Sequence, residues 1–289
     1  MMNAFVRSQV YAFITVSLWS TAYVFTKIAL QHFSAGSLGL LRCAVASLCL
    51  LLVVRVRGIL PPQAALWPQF AASGLAGFTL YILTFNMGSS LLNATTSCII
   101  ISTSPIMTAI LAHIAFGERL NRWARAATVL AFGGILIMFL WEGAFAVSGG
   151  LAWMLGAALL ISIYNILQRN LSRQCGALQI TAYSFLCGTL FLLFFSPEAV
   201  EQLRAAPWSG VLLVCFLGVF PSAAAYVLWT KALAIAPKTS GVANYMFLTP
   251  FLALLLEYVV TGAAPGPATF AGGGVILAAL LLYSARGRG

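Results

Sequence analysis

The chain has 289 residues, a hydrophobic fraction of 62 % and a charged fraction of 7 %. Fifteen Lys and Arg with five acidic residues cannot cover a soluble protein of this size, in which about a quarter of the residues are charged. The same composition excludes a disordered chain, which combines low hydrophobicity with high charge. The net charge of +10 would favour nucleic-acid binding in a soluble protein, but in a membrane protein basic residues report orientation.

Ten apolar segments are long enough to cross a bilayer, which takes about 20 mostly apolar residues. They are predicted at residues 10–30, 35–54, 68–90, 94–116, 123–141, 150–169, 177–196, 208–234, 240–262 and 267–284. The two longest connections, 55–67 and 197–207, contain prolines and are predicted as loops. Because the apolar runs are continuous and do not alternate, the sequence predicts an all-α polytopic membrane protein with ten transmembrane helices.

The basic residues predict how these helices are oriented. If the N-terminus is cytoplasmic, twelve of the 15 Lys and Arg fall on the cytoplasmic side and only Arg204 falls on the other. Lys27 and Arg42 lie within predicted helices. Because cytoplasmic loops of membrane proteins carry the excess of Lys and Arg, both termini are predicted to be cytoplasmic.

An internal repeat divides the chain into two predicted halves, residues 1–145 and 146–289, with five helices each. With a shift of 145 residues, Tyr81-Ile82-Leu83 aligns with Tyr226-Val227-Leu228, Ser104-Pro105 with Thr249-Pro250, and Gly117 with Gly262. With a shift of 141 residues, Tyr23 aligns with Tyr164. Because five is odd, the halves are predicted to be inverted repeats. That arrangement is typical of transporters that work by alternating access around a site near the membrane midplane.

Polar and aromatic residues inside the predicted helices are the candidates for substrate binding. Polar groups in a bilayer are costly and are expected to face a wet interior. Aromatic rings can stack on a flat ligand and attract an ammonium group. The candidates are Trp19, Tyr23, Tyr81, Ser102, Ser104, Tyr164, Asn165, Gln168, Tyr226, Trp229, Asn244 and Tyr245. Ring packing in the core and hydroxyl contacts between helices are the alternative interpretations.

Two prolines are predicted to kink helices, because Pro105 and Pro250 lie inside predicted spans. Arg42 could attract an anionic carboxylate, although a salt bridge or snorkelling to the interface is the favoured interpretation. His113 and Glu257 could each carry a proton for coupling, but their predicted places near helix ends favour an interfacial role.

Three glycines, Gly133, Gly241 and Gly273, are predicted to lie where helices pack closely.

No enzyme or ATPase motif is present, so transport would be driven by a gradient. The six cysteines lack metal-ligand spacing, and neither a metal nor a cofactor is expected. The expected partners are a small-molecule substrate and the lipid bilayer, without nucleic acid, and a monomer is compatible with transport. The leading hypothesis is a secondary-active or facilitative exporter of small amphipathic metabolites by alternating access, with aromatic or hydrophobic amino acids as the foremost substrates. An exporter of drugs or other metabolites, an intramembrane enzyme and a non-transporting scaffold are the competing hypotheses. Phosphorylated cargo is disfavoured because the predicted spans contain few cations.

Several motifs together resemble the drug/metabolite transporter superfamily, in its EamA-type branch. They are Trp19-Ser20, Arg42, Gly117-Glu118, the Tyr-x-Leu runs of helices 3 and 8, and the prolines of helices 4 and 9. The family often repeats Gly-Glu at the end of helix 9, where this chain has Gly262-Ala263. Within the family the chain is most similar to bacterial aromatic amino acid exporters. The resemblance implies a multi-pass exporter of the bacterial inner membrane, with a central cavity lined by helices 1, 3, 4, 6, 8 and 9.

Overall fold

A computed structural model describes residues 4–117, 121–142, 145–235 and 244–287. These residues form helices and connections and contain no strand, which confirms the all-α class. The first seven helices are α1 (Ala4–Ala29), α2 (Ala35–Val56), α3 (Ala64–Leu91), α4 (Ala94–Phe116), α5 (Arg122–Glu142), α6 (Phe145–Leu171) and α7 (Ala177–Ala205). The last three are α8 (Trp208–Leu217, Gly218–Ala224 and Ala225–Ile235), α9 (Asn244–Leu248 and Thr249–Thr261) and α10 (Pro267–Leu282 and Tyr283–Gly287).

Eight of the described helices are long and apolar enough to cross a membrane, namely α1 to α4, α6 to α8 and α10. The helix Thr249–Thr261 of α9 is apolar but shorter. Many outward-facing side chains are large and apolar, including Leu48, Phe194 and Val259. Such a surface fits lipid better than water, so the chain is a multi-pass membrane protein.

The helices run alternately between two ends of the bundle. We call the end where α1 begins and α10 finishes the proximal end. There Asn121 Nδ2 donates to Arg286 O at 2.8 Å, and Gln179 Nε2 donates to Leu60 O at 2.7 Å.

The opposite, distal end holds the connections that follow α1 and α3. Lys27 Nζ donates to Leu92 O at 2.7 Å, and the backbone N–H of Ser34 donates to Gln202 Oε1 at 2.8 Å. These bonds tie connections that are far apart in the sequence to the same end of the bundle.

Departures from regular α-helical geometry recur about 145 residues apart. π-helical turns interrupt α3 at Leu75–Leu80 and α8 at Gly218–Ala224. Left-handed glycines end α4 and α9, Gly117 with φ of 69° and Gly262 with φ of 70°.

α4 and α9 are themselves interrupted inside the membrane. Each resumes one residue before a proline, at Ser104 and Thr249, so Pro105 and Pro250 fall in the first turn of the new segment. Proline is tolerated there because its missing N–H would have no helical partner.

The close contact between α5 and α10 involves Gly134 and not its predicted neighbour Gly133. A Cβ on Gly134 of α5 would lie 2.6 Å from Gly272 O of α10. Gly133 has nothing within 4 Å of such a Cβ, so its predicted packing role is wrong. Gly273 does face a neighbour, since its Cβ would lie 2.7 Å from Ile99 Cδ1. Gly241 lies outside the described residues.

The predicted loop 197–207 contains a helix. After a short 3₁₀ turn at Leu193–Phe195, the chain resumes helical geometry at Ser196–Ala205. Pro197 stands in the first turn of this segment, where it starts a helix as readily as it ends one. Exposed Val200 and Leu203 give the segment an apolar outer surface at the distal end.

Candidate functional site

A cavity of about 580 Å³ occupies the middle of the bundle. All six helices that the family resemblance implies, α1, α3, α4, α6, α8 and α9, contribute to its wall. Three further helices also contribute, with Arg42 from α2, Thr181 from α7 and Leu280 from α10 among their lining residues. The wall includes Ala177, an exposed residue in the first turn of α7, so the cavity reaches the surface at the proximal end.

Most predicted binding residues meet in this wall. Those that line the cavity are Trp19, Tyr23, Tyr81, Ser102, Ser104, Tyr164, Asn165, Gln168, Tyr226 and Trp229, together with the two predicted kink prolines, Pro105 and Pro250. Tyr245 is absent from the wall and packs beside Ala12 and Ala232. Asn244 begins the 3₁₀ segment of α9, and its side chain lies outside the described part of the structure.

Contacts between rings hold the aromatic part of the wall. The Trp19 ring lies 5.6 Å from that of Tyr226 and 5.2 Å from that of Trp229. On the other side, the Phe85 ring lies 5.4 Å from Tyr23 and 5.8 Å from Tyr81. Rings fixed by such contacts present preformed flat surfaces, because little rotamer freedom remains to be lost on ligand binding.

Tyr164 owes its position to a glycine. A Cβ on Gly77, in the π-helical turn of α3, would overlap the Tyr164 ring, so glycine makes room for it. The ring also makes an edge contact with Phe78 at 5.1 Å. Only 2 % of Tyr164 is exposed, and its hydroxyl makes no hydrogen bond of standard geometry among the described residues, although the Thr181 side chain is near enough to interact with it. A ligand group in the cavity could satisfy this hydroxyl, since buried polar atoms are normally paired.

The polar candidates differ in how much hydrogen-bonding capacity they keep. Ser102 donates to Cys98 O of its own helix at 2.8 Å, which leaves the oxygen free only to accept. Asn165 Nδ2 donates to Thr108 Oγ1 at 3.2 Å, which orients the amide at the wall. Thr108, Thr181 and Phe85 also line the cavity, although the sequence pattern does not single them out as binding residues.

Arg42 is a further wall residue, and its side chain turns into the bundle and does not snorkel to the interface. The residue is 9 % exposed. Arg42 Nε donates to Ser222 Oγ at 2.7 Å, and Nη1 lies 3.5 Å from Thr26 Oγ1. No carboxylate among the described residues pairs with it.

The distal end is closed by Glu257 of α9. Glu257 Oε1 accepts from the backbone N–H of Ala94 at 2.7 Å, and Oε2 accepts from Thr95 N at 2.8 Å and Thr95 Oγ1 at 2.6 Å. We call these three bonds the distal latch. Only 3 % of Glu257 is exposed, so the residue lies near the end of α9 as the sequence predicts but is buried between helices. A carboxylate at a helix N-terminus pairs with N–H groups that lack a helical acceptor and with the positive end of the helix dipole.

Other contacts reinforce the distal closure. Thr96 Oγ1 lies 2.8 Å from Thr269 Oγ1 of α10, and Lys27 of α1 bonds to the connection between α3 and α4. His113, the other candidate proton carrier, is exposed near the proximal end of α4 and does not line the cavity. Among the described residues, therefore, hydrogen bonds close the distal end, whereas the cavity wall extends to exposed Ala177 at the proximal end.

A cavity that is open at one end of a membrane-spanning bundle and closed at the other is typical of a transporter. The sequence profile of the EamA-like transporter family matches residues 7–140 and again residues 148–285. The chain therefore belongs to the EamA-like transporter family, within the drug/metabolite transporter superfamily, which confirms the resemblance found in the sequence.

Relatives in other organisms are named as transporters. A probable terminal-alkyne amino-acid exporter of Streptantibioticus cattleyicolor is 29 % identical over 94 % of this chain and 92 % of its own length. The uncharacterised transporter YdfC of Bacillus subtilis is 25 % identical over 89 % of this chain and 84 % of its own length. These names point to a transporter with a small-molecule substrate and away from an enzyme.

A solved crystal structure has a similar fold. Its TM-score with this chain is 0.65 at 19 % sequence identity, and the match covers 99 % of this chain and 98 % of the other. At this identity the likeness extends to the fold alone.

Proposed function

We propose that the protein exports small amphipathic metabolites by alternating access, and that its foremost substrates are aromatic and other hydrophobic amino acids. The observation that carries the proposal is the central cavity, whose wall combines seven Trp and Tyr rings with hydroxyl and amide groups. Flat apolar side chains fit the rings, and the polar ends of an amino acid fit the hydroxyls, the amides and Arg42. The exporter named for an amino acid at 29 % identity supports the same substrate class.

The proposed architecture is ten transmembrane helices in two inverted repeats, residues 1–145 and 146–289. The π-helical turns of α3 and α8 and the interruptions of α4 and α9 support the repeat, because they stand at matching positions. Inverted halves can exchange shapes, so a second conformation, open at the distal end, is accessible to the same sequence.

The proposed orientation places the proximal end in the cytoplasm of a bacterial cell, with the chain in the inner membrane. The excess of Lys and Arg at the proximal end supports it. In this orientation the cavity is open to the cytoplasm. A substrate would enter from the cytoplasm, the proximal end would close around it, and opening of the distal latch would release it outside.

Efflux from proteoliposomes tests the substrate class. Vesicles loaded with labelled phenylalanine should lose it faster when they contain the protein than when they contain none. Tyr81→Ala and Tyr226→Ala should lower the apparent affinity about twofold to twelvefold, because each removes one ring interaction of about 0.5–1.5 kcal/mol. Tyr258→Ala is the matched control, since Tyr258 is exposed on α9 and does not line the cavity.

Two outcomes would contradict the proposal. Efflux no faster than from empty vesicles, across several hydrophobic amino acids, would refute the substrate class. Equal losses of transport and of folded protein in the two cavity variants would assign their rings to packing. A drug or another amphipathic metabolite that is transported in place of amino acids would favour the alternative of a broader exporter with the same fold.

A further inference from the structure

Arg42 is a buried cation in the wall of the central cavity. It is the eighth residue of α2, so it lies about 10 Å along the helix axis from Ala35. At that depth it is 9 % exposed, and its side chain turns inward to Ser222 of α8. A cation held inside a membrane protein usually has a partner with the opposite charge.

The sequence offers few such partners. The five acidic residues are all glutamates, at positions Glu118, Glu142, Glu198, Glu201 and Glu257. Glu118 lies outside the described residues. Glu142 ends α5, which packs against α10.

The other three glutamates are placed elsewhere. Glu198 and Glu201 are exposed on the distal segment Ser196–Ala205. Glu257 already receives three hydrogen bonds from the start of α4. Among the described residues, therefore, Arg42 stands without a carboxylate partner, and its positive charge faces the cavity.

The two hydrogen bonds of Arg42 leave part of the guanidinium group available. Ser222 occupies Nε, and Thr26 lies at the limit of hydrogen-bond distance from Nη1. Because arginine carries five N–H donors in a planar fork, at least three remain for a ligand. Such a fork matches the two oxygens of a carboxylate, and Ser222 fixes its orientation.

We propose that Arg42 binds the carboxylate of the substrate and makes that group a requirement for transport. The inference rests on the proposed function and narrows it. Zwitterionic or anionic aromatic compounds become substrates, with the carboxylate at Arg42 and the side chain against the rings. Aromatic cations without a carboxylate are rejected, because they bring a second positive charge into a low-dielectric site that has no described negative partner.

A pair of matched substrates tests the proposal. Phenylalanine and 2-phenylethylamine share the ring and the ammonium group and differ in the carboxylate. In proteoliposomes at low substrate concentration, the wild-type protein should transport phenylalanine about tenfold to a hundredfold faster than 2-phenylethylamine. This ratio corresponds to the free energy that a hydrogen-bonded charge pair contributes to binding. Arg42→Gln should bring that ratio close to one.

Two further variants separate charge from folding. Arg42→Lys keeps the charge without the fork and should retain the preference at lower phenylalanine affinity. Arg55→Gln is the matched control on the same helix, where the side chain is exposed, and should leave the ratio unchanged. A purely structural role of Arg42 would lower transport of both compounds together and leave the ratio intact.

The outcomes distinguish this inference from the proposed function. Equal transport of both compounds by the wild-type protein, or an unchanged ratio in Arg42→Gln, would overturn the role of Arg42 and leave an amino-acid exporter standing. If the wild type transports neither compound, the proposed function fails. Quenching of tryptophan fluorescence by 3-phenylpropionate then tests Arg42 alone: quenching that Arg42→Gln loses supports the carboxylate site, and no quenching in the wild type refutes it.

Discussion

Neutralising Glu257 should open the distal end of the protein. In Glu257→Gln the acceptor loses its charge, and one of its two oxygens becomes an amide that cannot accept. A hydrogen bond to a charged group contributes about 1.5–3 kcal/mol net, against about 0.5–1.5 kcal/mol for a neutral one. At least one of the three bonds is lost and those that remain are each weakened by about 1 kcal/mol, so the stability of the closed form falls by about 3 kcal/mol or more. The equilibrium then shifts roughly a hundredfold toward the distally open form.

Cys98 provides a reporter for this shift. It is fully buried on α4, one turn after the residues that bond to Glu257, and packs in the same cluster as Ala253 of α9. With the other five cysteines replaced by serine, the rate at which a polar maleimide labels Cys98 follows the open population. Labelling should be up to roughly a hundredfold faster in Glu257→Gln, until the open form dominates.

The matched control for this experiment is Glu201→Gln, which changes an exposed glutamate at the same end of the bundle. In this control, Cys98 should be labelled at the same rate as in the protein with an intact distal latch. Equal rates in the two glutamine variants would refute the argument that these bonds hold the distal end closed.

Three substitutions probe the packing around the cavity and the helix contacts. Gly134→Leu should lower the free energy of unfolding by at least about 3 kcal/mol, as read from thermal denaturation in detergent, whereas Gly133→Leu should have little effect. Gly77→Ala should push the ring of Tyr164 into the cavity and raise the KM for phenylalanine without loss of folded protein, and Gly156→Ala, in open space, should leave it unchanged. Tyr164→Phe should be near neutral for stability, because the hydroxyl it removes makes no hydrogen bond of standard geometry among the described residues, yet should weaken substrate binding if that hydroxyl contacts the ligand.

The positions of the helices could be predicted well because a span needs little more than length and apolar composition. The segment 35–54, for example, corresponds to α2 at Ala35–Val56. The structure differs from the predicted helices and loops where one residue type is common in both a helix and a loop. Pro197 predicts a loop when it is read as a helix breaker, but proline is equally suited to the first turn of a helix.

The cavity wall could be predicted in part, because most rings and amides deep inside a span turn toward the shared interior. The sequence does not predict the side-chain surroundings of Arg42, Tyr245 and Gly133. Whether a side chain faces the cavity, a neighbour or lipid depends on the rotation of its helix, which the nearly uniform apolar sequence does not define. Gly133 and Gly134 are adjacent, and only the packing of α5 on α10 decides which of them makes the contact.

Glu257 shows a second limit, since its role depends on a partner far away in the sequence. A glutamate near the end of a predicted span is typical of an interfacial residue. Its contact with Ala94 and Thr95 depends on bringing the end of α9 beside the start of α4, a tertiary contact that no local pattern indicates.

Counterflow is the most direct test of the central claim, that one aromatic-lined cavity carries amino acids by alternating access. Proteoliposomes are loaded with unlabelled phenylalanine and diluted into a trace of labelled phenylalanine. A carrier that alternates between two closures exchanges the two pools, so the label should accumulate transiently above its equilibrium level. Uptake that rises to equilibrium without an overshoot, or uptake that is unaffected by the internal phenylalanine, would contradict the account.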